Sequence, residues 1–192
     1  MLAYILIYGV IKLASNYEVL KLFNDEEIAE LNRLYDECKN ERVKRLHNLF
    51  YLDYRSFPTS LNYPYKEKLS SHFNMNADRM YYLEYYEGSF TRRHSDAGEQ
   101  SQRTVITMID KSDDLEGGDT IVYLPHFKND EFEFDVNRYK RDNEKDDEQG
   151  SNIIPVVLNL NVGESVTYDA NLLHEVALVT KGRRRVLVSW LL

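Results

Sequence analysis

Two textures divide the chain when its apolar positions are followed from one end to the other. In FNDEEIAELNRLYDECKNE, the residues Ile28, Leu31, Leu34 or Tyr35, and Cys38 recur every three or four positions, which predicts a helix with one apolar face. Asn24 stands where an N-cap is needed and Glu27 follows three residues later, the arrangement of a capping box. The aromatic stretch NLFYLDYRSFPTSLNYP is interrupted by Pro58 and Pro64 and predicts loop and short strands, and YKEKLSSHF predicts a second short helix. From about residue 79 the pattern changes. RMYYLEYY, RTVITMI, TIVYL, EFEFDV, IIPVVLNL, ESVTYD, HEVALVT and RRRVLVSWLL are short β-like runs, separated by turns such as EGS and DLEGGDT. Many short strands after one or two helices predict a β-barrel or sandwich with the helices packed against it. No internal repeat is present.

Length and charge narrow this picture. A chain of 192 residues has room for one domain with a substantial core. We therefore read residues 1–192 as a single domain, with 1–78 as helical support and 79–192 as the barrel core. A net charge of −8 and a pI of about 5.2 leave no broad cationic surface, so nucleic acid is a disfavoured partner. The single cysteine, Cys38, excludes an intramolecular disulfide and suits a reducing, cytoplasmic setting; packing on the helix is its expected role. The N-terminal stretch MLAYILIYGVIKLASNYEV has no basic residue before its apolar run and is shorter than the roughly 20 residues that span a bilayer. A buried strand or helix is favoured there over a signal peptide, and no membrane partner is expected. The charged segment Asn137–Asn152 predicts a solvated or disordered loop, with a substrate lid as the alternative.

Candidate chemistry begins in RRHSDAGEQ. If that stretch is extended, His94 and Asp96 point the same way and can grip one ion, although a chance His-x-Asp in a polar loop is the competing reading. His174 opens a strand whose face it shares with Val176 and Leu178, so it is expected inside the barrel, as a ligand or as a core histidine. Two histidines and one carboxylate on one side of an ion are the donor set of non-haem Fe(II) oxygenases. In KGRRRVLVSW, Arg184, Val186, Val188 and Trp190 share a face, while Arg183 and Arg185 are expected at the surface. An arginine on an apolar face needs an anion, either a protein carboxylate or a bound one. His126, after the strand TIVYL, is expected at the surface.

Taken in order, these segments resemble the 2-oxoglutarate- and Fe(II)-dependent dioxygenases, and within them the prolyl 4-hydroxylase-like branch. YYEGSFTRRHSD is similar to that branch's tyrosine, glycine and His-x-Asp segment, and RTVITMIDKSDDLEGGDTIVYLP to the strand, double-glycine turn and strand that follow. HEVALVTKGRRRVLVSW carries the second histidine, Val179, Gly182, the basic Arg184 and the closing Trp190 at the branch's spacing. The resemblance implies a double-stranded β-helix (a jelly-roll, cupin-like barrel) with one to three N-terminal helices. It implies Fe(II) on His94, Asp96 and His174, the distal carboxylate of 2-oxoglutarate on Arg184, and a co-substrate contact from Tyr85, with Tyr86 as a substitute for it. Dioxygen is the second co-substrate, and ascorbate a further reductant. The expected reaction hydroxylates a substrate C–H bond and yields succinate and CO2. The substrate is expected to be a prolyl or other residue of a peptide or protein, or else a free amino acid or small metabolite. A metal-binding module without turnover is less favoured because of Arg184, and a nucleic-acid demethylase because of the charge and the arginine's spacing. No oligomeric state is implied. Thr91, Asp110 and Leu178 depart from the branch's frequent tyrosines and proline.

Overall fold

The computed structural model of the protein describes residues 17–37, 43–47, 50–56, 63–97, 101–125 and 153–192. The apolar N-terminal run, Cys38, His126, the alternating segment 131–136 and the charged segment 137–152 lie outside them.

The first helix, α1 (Asp25–Glu37), starts where the sequence predicts. The Glu27 amide donates to Asn24 Oδ1 and the Asn24 amide to Glu27 Oε2, both at 2.8 Å, so two of the helix's orphan donors are satisfied reciprocally. Ile28, Leu31, Leu34 and Tyr35 form its buried face. The second helix, α2 (Tyr63–Phe73), buries Tyr65 and Leu69.

The strands are β1 (Tyr17–Leu20), β2 (Val43–His47), β3 (Phe50–Ser56), β4 (Ala77–Tyr86), β5 (Phe90–His94), β6 (Arg103–Lys111), β7 (Glu116–Gly117), β8 (Thr120–Pro125), β9 (Ile153–Leu158), β10 (Ser165–Asp169), β11 (His174–Val176), β12 (Val179–Lys181) and β13 (Arg183–Leu191). All their pairings are antiparallel, and the strands run in the order β1-β10-β6-β13-β4-β3-β5-β11-β8-β9, with β2 on β3. One wall is β1-β10-β6-β13-β4 and the other β5-β11-β8-β9, with β3 joining them. Side chains from both walls meet in one core, which holds Tyr85, Ile106, Val122, Val166, Val176 and Val188. A second core lies behind the first wall, where α1 and α2 pack Leu31, Leu34, Tyr35 and Leu69 against Tyr82, Ile109, Leu187 and Leu191. Alternate residues of β4 and β13 therefore serve different cores, as the strand period requires. The architecture is mainly β, a double-stranded β-helix backed by two helices among the described residues.

Two expectations about the strands are corrected. Leu178 does not share the face of His174 and Val176. The strand ends at Val176, the chain shifts, and Leu178 is half exposed before β12 begins. Arg185 is not a surface charge; it is 5% exposed. It does point away from the barrel interior, but α1 covers that side. Its guanidinium lies 3.5 Å from the centre of the Tyr35 ring and donates to Asn32 Oδ1 at 3.0 Å and Glu84 Oε1 at 3.2 Å. Arg183 is more open and pairs with Glu84 and Asp110.

Glu84 is thus a buried hub that also accepts a 2.6 Å bond from the Tyr35 hydroxyl. Burial pushes its carboxyl up, but the Tyr35 hydrogen bond and the Arg185 charge outweigh this and hold it below the ordinary 4.5. The ionised form therefore stabilises the fold above that value, and the contribution disappears as pH falls through the lower native value. Urea unfolding followed from neutral pH to below 4.5 is expected to show an acid loss of stability that is smaller in Glu84→Gln. An equal acid loss in both proteins would remove Glu84 from the account.

Candidate active site

Strand pairing brings the two histidines together. His94 ends β5 and His174 begins β11, and they are direct register partners across an antiparallel pair. Their rings lie 4.3 Å apart between centroids. Asp96 follows β5 in a bend whose amide donates to the Ala170 carbonyl at 3.0 Å, which turns the carboxylate back into the barrel. One Asp96 oxygen lies 3.7 Å from His94 Nε2 and the other 3.6 Å from His174 Nε2. One ligand-capable atom from each of the three residues lies within 4.8 Å of the others.

Hydrogen bonds set the ring tautomers. His94 Nδ1 is 2.9 Å from the Arg92 carbonyl and His174 Nδ1 is 3.1 Å from the Leu172 carbonyl. A carbonyl accepts only, so each Nδ1 carries the proton and each Nε2 presents a lone pair to the shared point. Burial, with His94 beside it, holds His174 below the ordinary imidazole value against the opposing pull of Asp96, which keeps it neutral. Asp96 Oδ2 accepts from the Thr104 hydroxyl at 2.6 Å and from the Trp190 indole at 3.2 Å. Two imidazole nitrogens and a carboxylate, with mobile protons already placed elsewhere, fit a divalent first-row metal such as Fe(II).

Arg184 lies further down the same barrel and is 1% exposed. Its guanidinium donates to the Gly118 carbonyl and, at 3.0 Å, to the Thr120 hydroxyl. Among the described residues no carboxylate pairs with it, and its Nε has no partner. The double glycine makes this possible. Gly117 and Gly118 both have positive φ, and a Cβ on Gly118 would stand 2.8 Å from Val179 Cγ2 and 3.3 Å from Arg184 Cδ. Thr120 lies two residues along β8 from Val122, which pairs with His174. At the usual strand rise that is about 6–7 Å. A buried cation that forms no ion pair among the described residues therefore contacts β8 about two strand residues along from the partner of His174.

Tyr85 pairs in register with Arg184, and its ring faces the guanidinium at 5.4 Å. Its hydroxyl is engaged by Thr91 Oγ1 at 2.9 Å. Tyr86 pairs with Arg183 and so lies on the opposite face of β4 from Tyr85. Asp110 reaches Arg183 at 2.7 Å, on that same outer side.

The sequence matches no family model and no curated protein. Solved structures do match. One is a Pseudomonas putida prolyl-4-hydroxylase, at 13% identity and a TM-score of 0.64, covering 95% of this chain and 95% of that one. Another is the viral collagen prolyl hydroxylase of Paramecium Bursaria Chlorella virus-1 in complex with 2-oxoglutarate, at 12% identity and a TM-score of 0.56, covering 92% and 96%. A third is the non-haem α-ketoglutarate-dependent epimerase SnoN from nogalamycin biosynthesis, at 15% identity and a TM-score of 0.66, covering 93% and 78%. The chain has the fold of the 2-oxoglutarate/Fe(II) oxygenases.

In this oxygenase fold three further residues stand at the site to which the sequence pattern assigns no role there. Thr104 and Trp190 hold Asp96, and Tyr168 of β10 packs its ring 4.9 Å from that of His174. Tyr168 is fully buried and its hydroxyl has no partner. Burial above all, and then the Asp96 charge, push its phenol well above the ordinary value. The available signal was the face shared by Arg184, Val186, Val188 and Trp190, which already placed the indole inside. Thr104 and Tyr168 gave none, because hydroxyl-bearing residues are common in strands.

Proposed function

We propose that this chain is an Fe(II)- and 2-oxoglutarate-dependent dioxygenase of the prolyl 4-hydroxylase-like branch. Its preferred substrate is a prolyl or other residue of a peptide or protein, hydroxylated in a reducing, cytoplasmic setting. The observation that carries the reading is the pairing, within one barrel, of a His94–Asp96–His174 cluster with an interior arginine that forms no ion pair among the described residues. His94, Asp96 and His174 would hold the iron, leaving one side of it open. Arg184 would bind the far carboxylate of 2-oxoglutarate through a charge-assisted bond. When bound, the iron supplies the activation of dioxygen that is coupled to conversion of 2-oxoglutarate to succinate and CO2. The chain's own part is to orient the imidazoles, fix the carboxylate, place the diacid and exclude water behind apolar walls. Among the described residues no helix is long and apolar enough to cross a membrane.

A free amino acid or small metabolite is the second reading, favoured by the likeness to SnoN, whose own setting is a small-molecule pathway. Anaerobic addition of Fe(II) and then 2-oxoglutarate is expected to produce a visible charge-transfer band, and succinate release is expected to rise with proline-rich peptides. Absence of both iron and 2-oxoglutarate binding would end the oxygenase reading. Binding with turnover only on small molecules would favour the second substrate class.

The Asp96 clamp gives a separate prediction. Thr104→Val removes one of its two donors, and Fe(II) affinity is expected to fall roughly 10- to 100-fold, the usual cost of losing a partner of a metal ligand. Anaerobic metal titration measures it. An unchanged affinity would show that the Trp190 indole suffices.

A further inference from the structure

Among the described residues four tyrosines are fully buried, and the hydroxyls of three of them are paired. Tyr35 donates to Glu84, Tyr82 donates to the Leu31 carbonyl, and Tyr85 shares a hydrogen bond with Thr91. Tyr168 is as deeply buried as any of them, and its hydroxyl bonds to nothing among the described residues. A phenylalanine would fill the same volume without the cost of an unpaired polar atom. A fully buried hydroxyl left open beside the histidine–aspartate cluster, where the other fully buried phenols are paired, points to a partner that arrives from outside.

Its place in the fold says which end of that partner it meets. Tyr168 pairs in register with Thr104, and Thr104 pairs with Trp190; these are the two donors to Asp96. The ring also packs beside His174. Tyr168 is therefore level with the histidine–aspartate cluster. Arg184 is six residues along β13 from Trp190, at the other end of the cavity. Between the two levels the walls are apolar, with Ile106, Val122, Val166, Val186 and Val188. Among the described residues the barrel thus holds two polar groups with unmet hydrogen-bonding capacity, the hydroxyl of Tyr168, whose ring packs beside the cluster, and the Arg184 guanidinium beyond it.

The geometry points to the Tyr168 hydroxyl as a hydrogen-bond donor to the 2-oxo acid end of the bound co-substrate, opposite the end held by Arg184. This assignment rests on the oxygenase reading above. Each end of the diacid then has its own anchor: Arg184 sets the depth of binding, and Tyr168 sets the rotation of the chelating end about the metal.

Tyr168→Phe tests it. Three anaerobic titrations are needed in the wild type and the variant: Fe(II) alone, 2-oxoglutarate on the Fe(II) protein followed by the charge-transfer band, and 2-oxopentanoate, which lacks the second carboxylate. The expected result is unchanged Fe(II) affinity, with 2-oxoglutarate affinity lowered about ten- to a hundredfold, the range for one hydrogen bond to a charged acceptor. The same fold-loss is expected with 2-oxopentanoate. Unchanged 2-oxoglutarate affinity overturns the assignment. So does a loss that vanishes with 2-oxopentanoate, which would place the hydroxyl at the Arg184 end. A lowered melting temperature of the metal-free variant also counts against it, since a hydroxyl without a partner has no bond to lose. If wild-type protein binds Fe(II) and no 2-oxoglutarate, the oxygenase reading fails instead.

Discussion

His174→Ala is expected to abolish tight Fe(II) binding, to remove the charge-transfer band and to lower succinate release by roughly three orders of magnitude or more, since members of one catalytic unit do not contribute independently. The His174 ring presents Nε2 to the point shared with His94 and Asp96, and its Nδ1 proton is already committed to the Leu172 carbonyl. The strand neighbours Val122 and Val176 offer no ligand atom, and the adjacent Tyr168 is held as a neutral phenol by burial. The backbone pairing of β11 with β5 and β8 does not depend on the imidazole, so the variant is expected to fold. Circular dichroism and a melting curve on the metal-free protein check this. A folded His174→Ala protein that still binds Fe(II) with wild-type affinity would mean that the cluster is not the metal site.

Arg184→Gln carries the second large effect. The wild-type guanidinium is desolvated and forms no ion pair among the described residues; burial holds its pKa below the ordinary arginine value, against the opposing pull of Tyr85 and Asp119, without neutralising it. A buried charged hydrogen-bonding partner is worth about 2–5 kcal/mol when truncated. That corresponds to a loss of roughly 30- to 4,000-fold in 2-oxoglutarate affinity. Glutamine keeps one donor for the Gly118 carbonyl and Thr120, so the barrel retains a satisfied interior while the charge is lost. Fe(II) affinity is expected to stay unchanged. A 2-oxo acid without the distal carboxylate should bind both proteins equally. In a thermal-shift assay, 2-oxoglutarate with a redox-inert metal should raise the melting temperature of the wild type and hardly move that of Arg184→Gln. An equal shift in both proteins would show that Arg184 does not read the co-substrate.

What could be read in the sequence was whatever depends on short spacing. The capping box of α1 needs only Asn24 and Glu27 three residues apart. The inward face of β13 needs only the strand period, which correctly grouped Arg184 with Val186, Val188 and Trp190. The same period cannot say what covers a strand's other face. Arg185 was therefore expected in water, whereas α1, some 150 residues earlier in the chain, brings Tyr35 and Asn32 over it. Nor can the period foresee an irregularity. The shift after Val176 turned Leu178 outward although its spacing from His174 suited the interior. Tyr168 illustrates a third gap. Its inward direction follows from alternation, but whether its hydroxyl finds a partner depends on side chains from other strands.

The register between His94 and His174 has an evolutionary corollary. Two of the three ligand positions are defined by peptide-to-peptide pairing, which any residue can supply, and the third by a backbone bond to Ala170. The spatial recipe for the cluster is therefore indifferent to most side chains around it. Residues that do not touch the cluster can be exchanged so long as the ladder keeps step, whereas a one-residue slip of either strand would turn its imidazole outward. Such a scaffold can keep its shape through wide changes of sequence, and this chain shares its fold with structures that are only 12–15% identical to it.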